Sequence, residues 1–322
     1  MKKSTKVLIG ATTASAAAFL GVGFLLNKLV LTRTSKPIFE KISAKKKEIN
    51  PVPENIQLLD KQGEEWFDQQ DKDYVVIKNS KNRPLHGYVI KAKEPSDKWV
   101  ICVHGYTSLP KRMGSYALHH HNRGYNILLP VLRGHDISDH THITMGWLDR
   151  LDMLDWIDYL NTIYENISIV LHGVSMGAAT VMMTTGEDLP ENVKCCIADC
   201  GFSSVWDEFN NELKEEFKLH VPGTLLAPAT VTSKIVNGYT FKEASSIKQL
   251  EKSKTPTLFI HGEEDKFVPY RMMDLNYNAA ACPKEKLSIP DAEHANSHLI
   301  HPEIYWPKTF EFIDKYIETV TV

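Results

Sequence analysis

Residues 171–178 read Leu-His-Gly-Val-Ser-Met-Gly-Ala, and the fold turns on how Ser175 is read. The apolar run 167–171 leads into this stretch, and an Ala- and Met-rich segment through Met183 leads out. A strand before and a helix after would make Gly173-Val174-Ser175-Met176-Gly177 a nucleophile elbow, with the serine hydroxyl exposed on a strained turn. The bland alternative is a serine in an ordinary glycine-rich connection. Five-residue matches arise by chance, so the flanking elements and the partners a serine needs decide between the two. A serine at a helix N-terminus also sits where backbone N–H groups and the helix dipole favour negative charge.

Outward from that turn, strand-like and helix-like segments alternate from Asp73 onward. Segments 74–77 and 85–90 suit a hairpin across the polar turn between them. Segment 99–103 is a continuous apolar run, the mark of a strand buried on both faces. Segments 125–130, 193–198, 257–260 and 287–289 read as further strands. Apolar residues at 147, 151, 154, 157, 160 and 164 keep a helical period, and 305–316 forms the closing helix. This alternation predicts an α/β fold, a mostly parallel sheet with helices on both faces. In such sheets active sites collect at the carboxyl ends of strands. Residues 203–250 break the rhythm with a charged stretch, Pro222-Gly223 and Pro228. They read as a helical cap inserted over the sheet.

A nucleophilic serine needs a base, and a neutral imidazole suits that role. Among 14 histidines, His294 follows the last predicted strand. His298 and His301 lie further along and read as surface or packing residues. His119, His120 and His121 occupy one predicted helix and point in different directions, which suits neither a base nor a metal site. His104 and His261 each precede a glycine at a strand end and read as loop supports. The base in turn needs a carboxylate to hold its tautomer. Asp265 follows the strand 257–260, and the apolar Phe267-Val268-Pro269 anchors its loop. Glu263 and Glu264 look solvent-facing, and Asp199 after another strand is the remaining alternative. An oxyanion hole would take the backbone N–H of Met176, directly after the nucleophile, and that of Tyr106 from the loop after 99–103.

The residues His104-Gly105-Tyr106, Arg133-Gly134-His135, Gly173-Val174-Ser175-Met176-Gly177, His261-Gly262-Glu263-Glu264-Asp265 and Glu293-His294-Ala295 make the chain from about 73 to 322 resemble the α/β-hydrolase superfamily. Within it the chain is most similar to membrane-anchored bacterial serine hydrolases related to serine aminopeptidases and acyl esterases. The order Ser175, Asp265, His294 is the order of that fold. Asp136 stands where the family usually has glycine, so the loop there is expected to differ in backbone conformation. The resemblance implies acyl transfer to water through an acyl-serine, with no metal and no organic cofactor. Carboxylic esters are the first expected substrates. Short peptides are the alternative, and for a free amino terminus Glu208, Glu212, Glu215 and Glu216 would supply negative charge. Those glutamates otherwise read as a solvated helix face. A non-catalytic binding protein on the same fold is a minor third reading. A dehalogenase is excluded, because it would need a carboxylate where Ser175 stands.

The formal net charge of -3 gives no reason to expect nucleic acid as a partner. Five cysteines, mostly in strand-like runs, read as buried thiols rather than a disulfide framework or a metal cluster. Lys2, Lys3 and Lys6 precede the uncharged apolar stretch 7–26, which just reaches the roughly 20 residues of a membrane-spanning helix. The small-residue site Ala14-Ser15-Ala16 lies inside that stretch, so an uncleaved transmembrane anchor is expected over 1–36. A linker and one helix follow over 37–72, then the catalytic domain over 73–322. Lys28, Arg33, Lys36, Lys41 and Lys45 favour a cytoplasmic domain. The resemblance to cell-surface hydrolases tips the expectation to the extracytoplasmic side.

Overall fold

The computed structural model describes residues 3–33, 54–215 and 218–317. Its strands are β1 (Asp73–Lys78), β2 (Pro84–Ile90), β3 (Lys98–Val103), β4 (Asn126–Pro130), β5 (Ser168–Val174), β6 (Val193–Asp199), β7 (Thr257–Gly262) and β8 (Lys284–Ile289). They form one sheet in the order β1-β2-β4-β3-β5-β6-β7-β8. The β1/β2 and β2/β4 pairs are antiparallel and all others parallel. Helices α1 (Lys3–Val30) and α2 (Glu54–Gln69) precede the sheet. Helices α3 (Gly114–Asn122), α4 (Asp149–Ile163) and α5 (Met176–Thr184) lie between strands. The segment between β6 and β7 holds α6 (Val205–Glu215), α7 (Gly223–Asn237) and α8 (Ser246–Leu250). The chain closes with α9 (Arg271–Ala279), α10 (Ser297–Ile300) and α11 (Pro302–Ile317).

Strand side chains alternate between two cores. Trp99, Ile101 and Val103 of β3 join α4, α5, α9 and the β6–β7 segment on one face. Val100 and Cys102 join Phe67 of α2, Tyr116 of α3 and Tyr305 of α11 on the other. The inner strands are mostly apolar because both their faces are covered. All five cysteines are buried, free thiols.

The chain departs from the expected domain organisation at its start. Residues 34–53, most of the expected linker, lie outside the described residues. Helix α2 packs on the body of the sheet: Phe67 is buried in the second core, and Lys111 and Arg112 pair with Glu64. Among the described residues no helix is long and apolar enough to cross a membrane. The second half of α1 docks on α7 instead. Asn27 donates Nδ2–H to Ala229 O at 2.8 Å and to Thr232 Oγ1 at 2.6 Å. Leu31 is 0% exposed in the first core. Thr32 forms a β-bridge with His142. The Asn27 amide, just past the apolar stretch 7–26, finds its acceptors on α7.

Asp136, at the position where glycine is expected, has a φ of 40°. That is the left-handed region, which aspartate tolerates better than most side chains.

Candidate active site

Ser175 occupies the turn between β5 and α5 with φ 58° and ψ −121°, a sparsely populated conformation for a residue with a side chain. The turn is over-determined by its neighbours. Ser175 N–H donates to Asp199 O at 2.8 Å, and Ala179 N–H donates to Ser175 O at 3.0 Å. Gly177 lets α5 pass close to β3, since a Cβ there would lie 2.0 Å from Val103 O. Gly177→Ala is therefore expected to destabilise the fold by about 1–3 kcal/mol, the usual cost of overpacking. Gly223→Ala, where nothing lies within 4 Å of the added Cβ, is the control expected to be near neutral. Thermal or denaturant unfolding distinguishes them, and equal stabilities would remove the steric account of Gly177.

Asp265 follows β7 and His294 follows β8. Gly262 allows these two loops to touch, because a Cβ there would meet Ala292 O at 2.3 Å. Glu263 N–H to Ile289 O (2.9 Å) and Glu264 N–H to Ala292 O (3.0 Å) stitch the loops together. Those backbone bonds set the side chains in reach: His294 Nδ1 lies 2.7 Å from Asp265 Oδ2, and His294 Nε2 lies 2.8 Å from Ser175 Oγ. An ionised carboxylate only accepts, so Nδ1 carries the proton and Nε2 accepts from the serine hydroxyl. The Phe267 ring stands 4.9 Å from the imidazole and limits its tilt.

Burial alone would raise the Asp265 carboxyl, but His294 and His261 reverse this and bring it down to about 2. Burial likewise pulls His294 down, and the charge and hydrogen bond of Asp265 outweigh it and raise the imidazole above its usual range. Asp265 Oδ1 accepts from Phe267 N–H (3.0 Å) and Val268 N–H (2.9 Å), which also favour the ionised form. The result is a base poised to take a proton while its partner stays an anion.

Met176 is the first residue of α5, so its N–H has no acceptor within the helix and points out of the N-terminus beside Ser175. The loop bearing Tyr106 lies alongside: a Cβ on Gly105 would be 3.3 Å from Ser175 Cβ. His135 Nδ1–H donates to Arg133 O (2.9 Å), leaving Nε2 to accept from Thr107 N–H at 3.0 Å. This bond clamps the Tyr106 loop. Arg133 is itself held by a two-pronged ion pair to Asp152. The sequence pattern Arg-Gly-His singles out these residues without a role, and the structure makes them the brace of the Tyr106 loop.

A nitrogen of His294, a carboxylate oxygen of Asp265 and the Cys200 sulfur lie within 4.8 Å of one another. Burial pushes the Cys200 thiol well above its usual range. The other two members of the group are engaged with each other and with Ser175.

The prolyl oligopeptidase family model matches residues 121–274, a stretch that holds Ser175 and Asp265 and ends before His294. YqkD of Bacillus subtilis is 27% identical over 252 residues, 78% of this chain and 82% of that protein. The α/β hydrolase domain-containing protein WAV2 of Arabidopsis thaliana is 26% identical over 59% of this chain and 61% of its own length. An esterase from Pyrococcus furiosus superposes with a TM-score of 0.61 at 24% identity, covering 77% of this chain and 94% of its own. The acylaminoacyl peptidase of Pyrococcus horikoshii gives 0.56 at 17% identity, covering 76% of this chain and 42% of its own.

The chain has the α/β-hydrolase fold.

Within this fold, several residues near the site make contacts that the sequence does not locate. His261 reaches Asp265 Oδ2 at 3.3 Å and donates to Val268 O at 2.8 Å, so it braces the carboxylate as well as its loop. Its position four residues before Asp265 on a strand end is the available signal. Asp199, the alternative acid, accepts from Tyr305 Oη at 3.0 Å, whereas the Asp265 carboxylate is the one in hydrogen-bond reach of His294. Burial raises its carboxyl to about 6. Behind it, Tyr305, His172 and His120 continue the chain of hydrogen bonds at 3.1 and 2.9 Å. Burial lowers His172 to about 3 and keeps it neutral. His298 is buried against Tyr116 and bonds Ser115 Oγ, and His104 holds Leu132 N–H, both as structural supports.

Proposed function

We propose that the protein is a serine hydrolase that cleaves carboxylic esters through an acyl-enzyme on Ser175. The observation that supports this most is the hydrogen-bonded series Asp265–His294–Ser175 ending on a strained strand-to-helix turn. His294 Nε2 takes the Ser175 proton as Oγ bonds to the substrate carbonyl carbon. Asp265 holds the imidazolium that forms. The N–H groups of Met176 and Tyr106 receive the oxyanion, each donor contributing about 2.7–4 kcal/mol to the transition state. His294 then protonates the departing alcohol, and water repeats both steps to free the acid.

A peptidase is the second reading, and one observation favours it. Helix α6 carries Glu208 and Glu212 over the site, close enough that Glu212 raises His294 and Asp265 raises Glu208. Burial already pushes the Glu208 carboxyl well above its usual range, and its Oε2 has no hydrogen-bond partner among the described residues. A substrate ammonium would fit that deficit. Glu216, the last of the four glutamates named from sequence, lies outside the described residues.

A fluorophosphonate probe is expected to label the protein on Ser175, read by peptide mapping. A p-nitrophenyl ester is expected to be hydrolysed faster than an aminoacyl-p-nitroanilide. Label on another residue would sink the proposal, and faster anilide cleavage would select the peptidase.

A further inference from the structure

Helix α1 is apolar on almost every side between Ala16 and Val30, yet only one stripe of it is covered. Gly23, Asn27 and Leu31, one turn apart, face α7 and the core. A Cβ on Gly23 would lie 2.3 Å from Pro228 O, so the two backbones touch at this seam. On either side of the seam apolar side chains face outward. Helix α1 contributes Phe19, Val22, Phe24, Leu25 and Leu29, with Leu25 57% exposed. Helix α7 and its approach contribute Val221, Val231, Ile235 and Val236, with Val221 64% and Ile235 62% exposed. A helix apolar all round is normally buried all round, and exposed apolar side chains gathered along two packed helices mark a surface that something covers.

The charge pattern selects the occupant. Lys3–Val30 and Gly223–Asn237 contain no aspartate or glutamate, and their only charged side chains are lysines. Lys28 is exposed beside Leu25 and Leu29, and Lys234 beside Ile235 pairs with Glu243 at the rim. Apolar side chains bordered by lysine stems are the arrangement that seats at a lipid interface, with the ammonium groups at headgroup level. The patch also adjoins the proposed site. Tyr106 Oη–H donates to Val30 O, so the end of α1 is tied to the loop beside Ser175.

We propose that the exposed face of the α1/α7 pair docks on an anionic lipid bilayer, so that the cap itself, not α1 alone, rests in the interface. Resting on the esterase reading above, the substrates of Ser175 are then acyl esters drawn from that membrane.

The test uses the full chain with vesicles of phosphatidylcholine and phosphatidylglycerol carrying brominated acyl chains. An environment-sensitive fluorophore is placed through Ile235→Cys or, as control, through Lys93→Cys at an exposed position; the native thiols are buried. The expected result is a blue shift and bromine quenching at 235 and neither at 93. Vesicle binding without quenching at 235 would overturn the proposal, leaving α1 as the only contact, and so would a failure to bind vesicles at all. Disulfide cross-linking of two unlabelled Ile235→Cys chains without vesicles would overturn it in favour of a second copy. Fluorophosphonate labelling of the same samples reads the catalytic proposal separately, since quenching without labelling would overturn only the esterase reading. For the substrate class, Ile235→Glu is expected to slow hydrolysis of a vesicle-borne palmitoyl ester while leaving a water-soluble acetyl ester unchanged. Equal effects on both would remove the link between the membrane and the site.

Discussion

Ser175→Ala is expected to lower kcat on the order of 10⁶-fold, with little change in KM. The size follows from what the hydroxyl does. Its removal takes away the atom that bonds to the carbonyl, and His294 and Asp265 then have no proton to move on the enzyme. Residual rate would come from water activated in a site that still holds the oxyanion donors. Stability should be nearly unchanged, because Ser175 is fixed mainly through its backbone bonds to Asp199 and Ala179. Relief of the hydroxyl from its strained turn adds nothing, since alanine meets the same φ of 58°. The decisive measurement is kcat on a p-nitrophenyl ester beside an unfolding curve of the same preparation. A folded variant within about tenfold of wild type would remove Ser175 from the reaction.

Asp265→Asn is expected to cost about 10⁴-fold in kcat, and it carries a second signature in pH. An amide at 265 donates as well as accepts, so it no longer forces the proton onto His294 Nδ1. The tautomer with Nε2–H then competes, and that form cannot accept from Ser175. In the wild type, kcat/KM falls as pH drops through the His294 pKa, which lies above that of an ordinary histidine. In the variant the opposing charge is gone and burial dominates, so the acidic limb moves to lower pH even as the rate falls. A pH profile whose limb stays in place would show that Asp265 does not set the base. Asp265 also bears on stability. Its carboxyl is depressed to about 2 in the folded chain, so its contribution is present above the unfolded carboxylate range near 4 and is lost as pH falls through about 2.

Both predictions concern residues that are legible in the sequence. Ser175 closes an apolar strand, Asp265 and His294 each lie in the loop that follows a strand, and a parallel sheet brings the ends of such strands to one edge. Periodicity places the strands well because the inner ones are buried on both faces and so are largely apolar. The choice of Asp265 over Glu263, Glu264 and Asp199 rests on a loop anchor and becomes a distance only when β7 and β8 pair. His261, four residues from Asp265, reads as a loop support, and only the turn of the Phe267 loop shows it also touching the carboxylate.

The N-terminal helix marks the other limit. Apolar composition over 7–26 reads the same whether a helix faces lipid or faces protein, so the run suits a bilayer span that the structure does not bear out. Asn27 and Gly23 carry a contrary signal, since a polar amide and a missing side chain are what a close helix contact uses. Their partners, Ala229, Thr232 and Pro228, stand some two hundred residues away, and no local pattern links them.

Local chemistry, then, is enough for the alternation of strands and helices, for the elbow at Ser175 and for the order of acid and base, because each depends on residues within one turn or one strand. Tertiary packing has to supply the rest: which carboxylate faces His294, how His135 braces the Tyr106 loop, and that α1 lies along the cap. These are contacts between segments distant in the chain, and their geometry exists only once the sheet has closed both cores.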